Sequence, residues 1–177
     1  RTWAYFDRFV GPDDNWLAPD NMQEQPVQVI AHRTSPTNIG MALLANLSAC
    51  DFGYITVSQL IARTAATMAS MDQLERHRGH FYNWYDTQTL KPLHPIYIST
   101  VDSGNLAGHL LTLQPGLTGM FEQPIVGPQI VDGLLATVRV LEETLGEAAS
   151  TGAVVTNASG ADGAAPALAA KGAEAEA

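Results

Sequence analysis

The spacing of apolar residues along the chain predicts helices joined by long polar and aromatic loops. Apolar side chains recur at helical spacing in segments that begin near Thr2, Ser35, Thr56, Ser99 and Gln129. The strict alternation of apolar and polar residues that is typical of strands is nearly absent. The pattern therefore favours an all-α fold of helical hairpins with functional loops at one end, as in a partial α/α barrel or a helical array.

Capping signals mark where three of these helices begin. Ser35 is followed by Pro36, so a hydroxyl N-cap precedes proline at the first helical position. Thr56 with Gln59 predicts a capping box. Ser99, followed three residues later by Asp102, carries a similar signature.

Glycines and prolines predict where the helical pattern is interrupted. Gly79 is expected to end the helix that starts at Thr56. The aromatic run His80–Asp86 and the proline-containing turn after it predict one short β-hairpin. Gly104 and Gly108, one helical turn apart, are expected to permit a close helix crossing.

Composition changes near the end of the chain. Ala and Gly dominate residues 148–177, and such a segment cannot bury enough apolar surface to offset its chain entropy. We therefore expect residues 1–147 to be ordered, with a last helix ending near Leu145, and residues 148–177 to form a disordered tail. Because Arg1 falls inside a predicted helix, we also expect a fragment of a longer protein.

Charge and motif content exclude several classes of function. The 177 residues include 18 acidic and 9 basic side chains, a formal net charge of −9, which argues against a nucleic-acid partner. No apolar run approaches the roughly 18 residues of a membrane helix, so no membrane contact by this segment is expected. Cys50 alone forms neither a disulfide framework nor a zinc site. Phosphate-loop, dinucleotide and Ser-His-Asp motifs are missing as well, so no cofactor is expected.

The first of three unusual loops runs from Gly11 to Gln25. It places Asp20, Asn21 and Glu24 near Trp16. Carboxylates and amides bind sugar hydroxyls, and an indole stacks on the apolar face of a pyranose. The alternative is a turn-rich loop that uses Asp and Asn for local backbone hydrogen bonds.

The second loop brings His32 and Arg33 to a predicted helix N-terminus. There they could hold an anion or a substrate hydroxyl. Alternatively, Arg33 pairs with a carboxylate of the first loop.

The third loop, Arg78–Thr87, contains four aromatic residues in five positions. If this segment is extended, one face carries Tyr82, Trp84 and Asp86, and the other carries Phe81, Asn83 and Tyr85. One face would then be core and the other a binding platform. The alternative is an aromatic cluster that is wholly structural.

Other titratable residues carry weaker signals. His77 and His80 have a spacing found in metal sites, but no third ligand is evident, so no metal is expected. Asp102 could be a functional carboxylate, although capping explains it equally well. Glu75, beside two arginines, is expected to form a surface ion pair.

Four segments together resemble the central region of bacterial cyclic β-1,2-glucan synthases. They read DNWLAPDNMQE, AHRTSPTNIG, RGHFYNWYDT and STVDSGNLAGHLLTL, and the resemblance is dense from Arg1 to about Leu113. It implies the first part of a glycoamylase-like α/α barrel that closes a glucan ring by transglycosylation. The family consists of large proteins of the bacterial inner membrane, which implies a location on its cytoplasmic face and the rest of such a synthase as partner.

The same resemblance implies that the catalytic glutamates lie elsewhere. In the family they sit in later motifs, roughly MFEYLMP and WGISES, and neither string is present here. The sequence around Glu122 is only superficially like the first of them. A complete barrel also needs more helices than this chain supplies. We therefore expect no catalytic residue and little or no activity from this chain alone.

The expected role is binding of β-1,2-glucan, as a substrate-binding part of a carbohydrate-active enzyme. The residues expected to line glucan subsites are Asp20, Asn21, Glu24, His32, Arg33, Tyr82, Trp84, Asp86, Asp102 and Asn105. The alternative is a non-catalytic helical interaction module, in which the aromatic loops are core and the caps are ordinary.

Overall fold

The computed structural model describes residues 2–158, with side chains to residue 149. The helices in this part of the chain are α1 (Thr2–Phe9), α2 (Pro36–Asp51), α3 (Val57–Gln73), α4 (Thr100–Gly119) and α5 (Pro128–Ala158). The strands are short: β1 (Met22–Gln23), β2 (Val29–Ile30), β3 (Arg33–Thr34), β4 (Arg76–His77), β5 (His80–Phe81) and β6 (Tyr85–Asp86). Short 3-10 helices lie at Pro12–Asp14 and Met120–Glu122. The predicted helical fold is confirmed, and within the described residues the helices do not close into a barrel.

The predicted caps form as expected. The Ser35 hydroxyl accepts a hydrogen bond from the Asn38 N–H at 3.3 Å. At the start of α3 the capping box is reciprocal, since Gln59 N–H donates to Thr56 Oγ1 at 3.2 Å and Thr56 N–H donates to Gln59 Oε1 at 2.8 Å. These bonds satisfy backbone donors that the first helical turn leaves unpaired.

Gly79 does not end α3, which stops at Gln73. Arg78 and Gly79 instead form the turn of a hairpin between β4 and β5, in which His77 pairs with His80. Both turn residues have positive φ, 52° and 87°, as a two-residue turn of the mirror-image type requires. This hairpin lies just before the predicted one, which is present as an antiparallel bridge between Tyr85 and Pro92.

The aromatic segment after this hairpin pairs with a distant strand. β6 is antiparallel to β3, with Arg33 opposite Asp86 and Thr34 opposite Tyr85. The chain does turn back after Asp86, where Leu93 N–H donates to Trp84 O at 2.9 Å. A third antiparallel pair, β1 with β2, closes the first loop.

The core is built around α2, which packs against both α3 and α4. Ile39, Leu43 and Leu60 are fully buried, as is Tyr85 of the aromatic segment. Close approach of α2 and α4 depends on Gly40, where a Cβ would lie 2.9 Å from His109 Cβ. The prediction for Gly104 and Gly108 is wrong, because both face open space.

The last helix is longer than the sequence predicted. α5 begins at Pro128 and continues to Ala158, so the start of the segment expected to be disordered is helical. The remainder of that segment, 159–177, lies outside the described residues. The chain divides into two compact units, residues 1–135 and 136–177. The candidate sites lie wholly in the first unit. No helix of the described part combines the length and apolarity needed to cross a membrane.

Candidate functional site

An ion pair that contacts an indole ring joins all three loops. The Arg33 guanidinium donates to Asp20 Oδ2 from Nε at 3.2 Å and from Nη2 at 2.9 Å. Its central carbon lies 4.9 Å from the Trp84 ring centroid. The expected alternative for Arg33, pairing with a carboxylate of the first loop, is therefore realised together with stacking on Trp84.

The backbone explains why these three residues meet. Pairing of β3 with β6 brings Arg33 opposite Asp86 and hence near Trp84. The first loop is held to the strand that precedes Arg33, since Ala31 N–H donates to Asn21 O at 2.9 Å. The amide of Asn38, in the first turn of α2, donates to Asp20 Oδ1 at 3.3 Å.

A second polar cluster lies on the other side of Trp84. Hydrogen-bond partners orient the Asn83 amide so that its oxygen accepts from Trp84 Nε1 at 2.6 Å and from Tyr97 Oη at 2.7 Å. The amide nitrogen then donates to Asp102 Oδ2 at 2.8 Å. Trp84 thus contacts Arg33 through its ring face, and its N–H is linked to Asp102 of α4 through the Asn83 amide.

Asp102 also binds the start of α2. Thr37 Oγ1 donates to Asp102 Oδ1 at 2.7 Å, and Asn105 Nδ2 donates to the same threonine hydroxyl at 3.1 Å. Burial alone raises the pKa of the Asp102 carboxyl, but hydrogen bonds from Ser99, Thr37 and Ser35 outweigh it and lower the pKa. Asp102 is therefore an ionised acceptor that links the N-termini of α2 and α4.

These contacts define the indole cluster, a name used below for Asp20, Arg33, Trp84, Asp102 and Asn105 with their partners. Of these, Arg33 and Asn105 are exposed, and Trp84, Asp20 and Asp102 are half-buried. The cluster carries amide, hydroxyl and carboxylate groups beside an aromatic ring. Such a surface can form hydrogen bonds with a polyhydroxylated molecule and pack against its apolar face.

Burial in the aromatic segment alternates as the sequence indicated. Asn83 and Tyr85 are buried, whereas Tyr82, Trp84 and Asp86 are half-buried. Phe81, predicted on the same face as Asn83 and Tyr85, departs from this pattern and is half-buried. The Tyr85 hydroxyl accepts from Tyr82 N–H at 2.7 Å and donates to Glu75 O at 2.7 Å. The face that carries Asn83 and Tyr85 is thus structural core, which is compatible with both interpretations of this segment.

Asp86 has a structural contact of its own. Its Oδ1 accepts from the N–H groups of Gln88 at 3.0 Å and Thr89 at 2.7 Å, and from the Thr89 hydroxyl at 2.9 Å. Burial raises the pKa of Asp86, but these hydrogen bonds lower it further than burial raises it. Asp86 therefore stabilises the turn that follows β6.

His32 lies apart from the indole cluster although it is the neighbour of Arg33. Its Nδ1 is 2.7 Å from Oδ1 of the buried Asp14, which also accepts a hydrogen bond from the Thr87 hydroxyl. His32 lines a cleft of about 1130 Å³. His32 and Arg33 serve different surfaces, because His32 contacts Asp14 and Arg33 contacts Asp20.

The other predicted site residues of the first loop are exposed. Asn21 donates from Nδ2 to Asp20 Oδ2 at 2.9 Å, so it borders the indole cluster. Glu24 stands in the turn between β1 and β2 and is exposed.

Four participants were not predicted from the sequence. Thr37 and Asn38 follow the N-cap of α2, and a polar pair in a first helical turn is common enough to carry no signal. Asn83 was assigned to the inner face, where its buried amide serves Trp84 and Asp102. Tyr97 lies in a proline-rich stretch of the sequence that shows no recognisable pattern.

Within the described residues, the remaining titratable groups do not form a further candidate site. There, no group of three or more His, Cys, Asp or Glu side chains is arranged to hold a metal ion. His77 and His80 are exposed and face each other across the β4–β5 ladder. Cys50 is buried, and burial raises the pKa of its thiol.

Comparison with solved structures identifies the class of fold. The structure is similar to that of a Bacteroides fragilis NCTC 9343 protein provisionally assigned as a glucoamylase, with a TM-score of 0.53 at 20% identity. The match covers 62% of this chain and 27% of the other. At that identity the likeness establishes a glucoamylase-like helical fold. No protein-family model matches this chain.

Sequence comparison then identifies the family. The chain is 46% identical over 148 residues to the cyclic beta-(1,2)-glucan synthase NdvB of Rhizobium meliloti (strain 1021). The match covers 83% of this chain and 5% of that protein. The resemblance is thereby confirmed: the chain belongs with the cyclic β-(1,2)-glucan synthases and corresponds to a short segment of one.

Proposed function

We propose that this chain supplies a β-1,2-glucan-binding part of a glucoamylase-like barrel, in a synthase that cyclises glucan by transglycosylation. The observation that carries the proposal is the indole cluster, in which Trp84 joins the Asp20–Arg33 pair to Asp102 and Asn105. The cluster falls in a chain that is 46% identical to a glucan synthase. The chemistry of the cluster and the sequence similarity to a glucan synthase therefore favour the same class of ligand, a glucan.

The charge balance of the cluster favours a neutral ligand. Asp20 accepts two hydrogen bonds from Arg33, so the two charges neutralise each other and neither favours a charged ligand. Hydrogen bonds from Thr37 and Asn83 occupy the Asp102 carboxylate. A glucan carries many hydroxyl groups and no charge, and it suits partners of this kind. Asn21 and Asp86 border the cluster, and Tyr82 and Glu24 would contact a longer chain of sugar residues.

Catalysis in this proposal comes from outside the chain. The retaining exchange needs a pair of carboxyl groups about 5 Å apart, with one of them activated as nucleophile. The carboxylates of the indole cluster are engaged as hydrogen-bond acceptors and ion-pair partners, which suits positioning of substrate. The glutamates expected from the family motifs would act from a later part of the parent synthase.

The remaining helices of such a parent have a surface on which to pack. Val131, Leu134 and Leu135 of α5 are 59%, 61% and 52% exposed. Exposed apolar side chains at helical spacing are typical of a face that another helix covers. A parent of this kind would be a bacterial inner-membrane protein, with this segment at the cytoplasmic face.

Exposed apolar side chains just before α5 favour the second candidate function, a helical interaction module. Phe121 is 91% exposed, and Ile125 and Val126 are each 78% exposed. A module of that kind would bind a protein partner through these residues and would not bind glucan.

Titration calorimetry with linear β-1,2-glucan oligosaccharides tests the proposal. We expect the full chain to bind, and the Trp84→Ala variant to bind at least tenfold more weakly, because truncating a central aromatic anchor removes its stacking area. The matched control is Trp3→Ala, which removes an indole that stacks on Arg63. Equal affinity in the wild type and Trp84→Ala would contradict the role of the indole cluster. No binding by the wild type would favour the interaction module.

A further inference from the structure

The cleft beside the 3-10 helix Pro12–Asp14 has the features of a second ligand site. It measures about 1130 Å³ and is bordered by α1, the first loop, β2 and α3. Small-molecule sites usually occupy several hundred Å³, so this cleft has room for an oligosaccharide. None of the residues of the indole cluster lines it.

His32 is fixed in one orientation at the wall of this cleft. Its Nδ1 lies 2.7 Å from Asp14 Oδ1, and the side chain of Asp14 is 8% exposed against 37% for that of His32. The Thr87 hydroxyl donates to the same carboxylate oxygen, and Thr87 N–H donates to His32 O at 3.1 Å. Contacts at both the backbone and the ring therefore hold the imidazole in place.

The pairing also sets the chemistry of the other ring nitrogen. A carboxylate accepts hydrogen bonds, so His32 Nδ1 carries the proton that faces Asp14. In the neutral imidazole Nε2 is then an acceptor, and in the protonated ring it is a donor. Either form binds a hydroxyl group, which can donate or accept.

The charges around the cleft nearly balance. Asp7, Asp13 and Asp14 line it together with Arg8 and Arg63. Arg63 is held by contacts within the protein, because it donates to Phe6 O at 2.9 Å and to Val10 O at 3.2 Å. Asp14 is committed to His32 and Thr87. Asp7 Oδ1 lies 3.7 Å from Arg63 Nη1. What remains is one acidic side chain, Asp13, and one basic side chain, Arg8, which gives no preference for an ion.

Polar and apolar groups alternate on the walls. Gln28 and Gln88 offer amides, while Trp16 and Val29 offer apolar surface. Trp16 is held at a positive φ of 58°, which a bulky residue rarely adopts, and the Thr67 hydroxyl donates to its carbonyl at 2.9 Å. The wall is therefore a fixed surface of mixed character.

From this geometry we propose that the cleft is a second glucan-binding subsite, in which His32 binds a sugar hydroxyl through Nε2 and Asp14 positions the imidazole. The inference rests on the proposed function and adds to it a site separate from the indole cluster. In this inference Asp14 and Thr87 position the imidazole, and His32 and Arg33 belong to two separate sites.

Calorimetric titration of the full chain with linear β-1,2-glucan oligosaccharides tests the second subsite. We expect His32→Ala to weaken binding about tenfold in a Trp84→Ala background, since that variant retains only the cleft. His77→Ala, which removes an exposed imidazole of the β4–β5 hairpin, is the matched control and should leave affinity unchanged. Asp14→Asn keeps the shape of the positioning residue and should weaken binding as His32→Ala does.

A spectroscopic readout in the wild type keeps the test independent of folding in the variants. The imidazole C–H resonance of His32, assigned by its loss in His32→Ala, should shift when glucan is added. An unmoved His32 resonance under saturating glucan, or equal affinity with and without His32, would overturn the second subsite and leave the proposed function standing. A wild type that binds no glucan would overturn both.

Discussion

Arg33 and Trp84 form a stacked pair in which the guanidinium carbon lies 4.9 Å from the indole ring centroid. Asp20 receives two hydrogen bonds from the same guanidinium. A planar guanidinium can satisfy both partners together, since its donors lie in the plane that stacks on the ring. The geometry therefore depends on arginine and cannot be reproduced by a simple positive charge.

Arg33→Lys tests this dependence. Lysine keeps the charge but cannot donate twice to Asp20 while stacking on Trp84. We expect a loss of about 1 kcal/mol in the free energy of unfolding, because exposed cation–π and ion-pair contacts are each worth about half that or more. Urea denaturation measures it, and Arg139→Lys on the exposed surface of α5 is the control. Equal losses in the two variants would contradict a special role for Arg33.

Arg63 is the other arginine on which the fold depends. Its side chain is 13% exposed and contacts both Trp3 and Trp16. It also donates to Asn46 Oδ1 at 3.1 Å and to two carbonyl groups at the end of α1. We expect Arg63→Met to cost about 3 kcal/mol of unfolding free energy, because several buried acceptors lose their donor. Urea denaturation against Arg139→Met measures the cost, and a loss below 1 kcal/mol would show that the acceptors find other partners.

Local signals predicted most of the helices. Ser35, Thr56 and Ser99 begin helices because their hydroxyl groups accept the backbone N–H that the first turn leaves free. These bonds span three residues, so the sequence contains all the information needed to recognise them. The polar composition of the loops predicted several members of the indole cluster as site residues, although the contacts between them join distant parts of the chain.

Features that depend on distant pairing could not be predicted in this way. Thr34 in β3 pairs with Tyr85 in β6, about fifty residues later. Asn83 reads as a residue of the inner face, and its partner Asp102 is distant in sequence and belongs to α4, which packs on α2. The separation of His32 from Arg33 likewise follows from where Asp14 and Asp20 come to lie, which no local pattern records.

The glycines of α2 and α4 offer a paired test of helix packing. A Cβ at Gly40 would meet the Cβ and Cγ of His109 at 2.9 Å, so Gly40→Ala should destabilise the protein by about 1–3 kcal/mol through overpacking. A Cβ at Gly108 would meet nothing within 4 Å. Gly108→Ala should therefore stabilise the exposed helix by about 0.5–1 kcal/mol. Thermal unfolding followed by circular dichroism would contradict the packing if both variants shifted in the same direction.

Asp102 gives the protein a predictable sensitivity to acid. Its folded-state pKa is lowered, so the carboxylate contributes stability that is fully present above its unfolded-state pKa of about 3.9 and is lost as pH falls through the folded-state value. Asp102→Asn should destabilise the protein at pH 6, because the amide nitrogen would face the Thr37 or Asn83 donors. The difference from wild type should narrow below about pH 4, where the wild-type carboxyl takes up its proton. Urea denaturation at pH 6 and pH 3 measures this, with Asp132→Asn on the exposed surface of α5 as control. A difference between wild type and Asp102→Asn that stays constant across this range would show that the charge on Asp102 adds nothing to the link between α2 and α4.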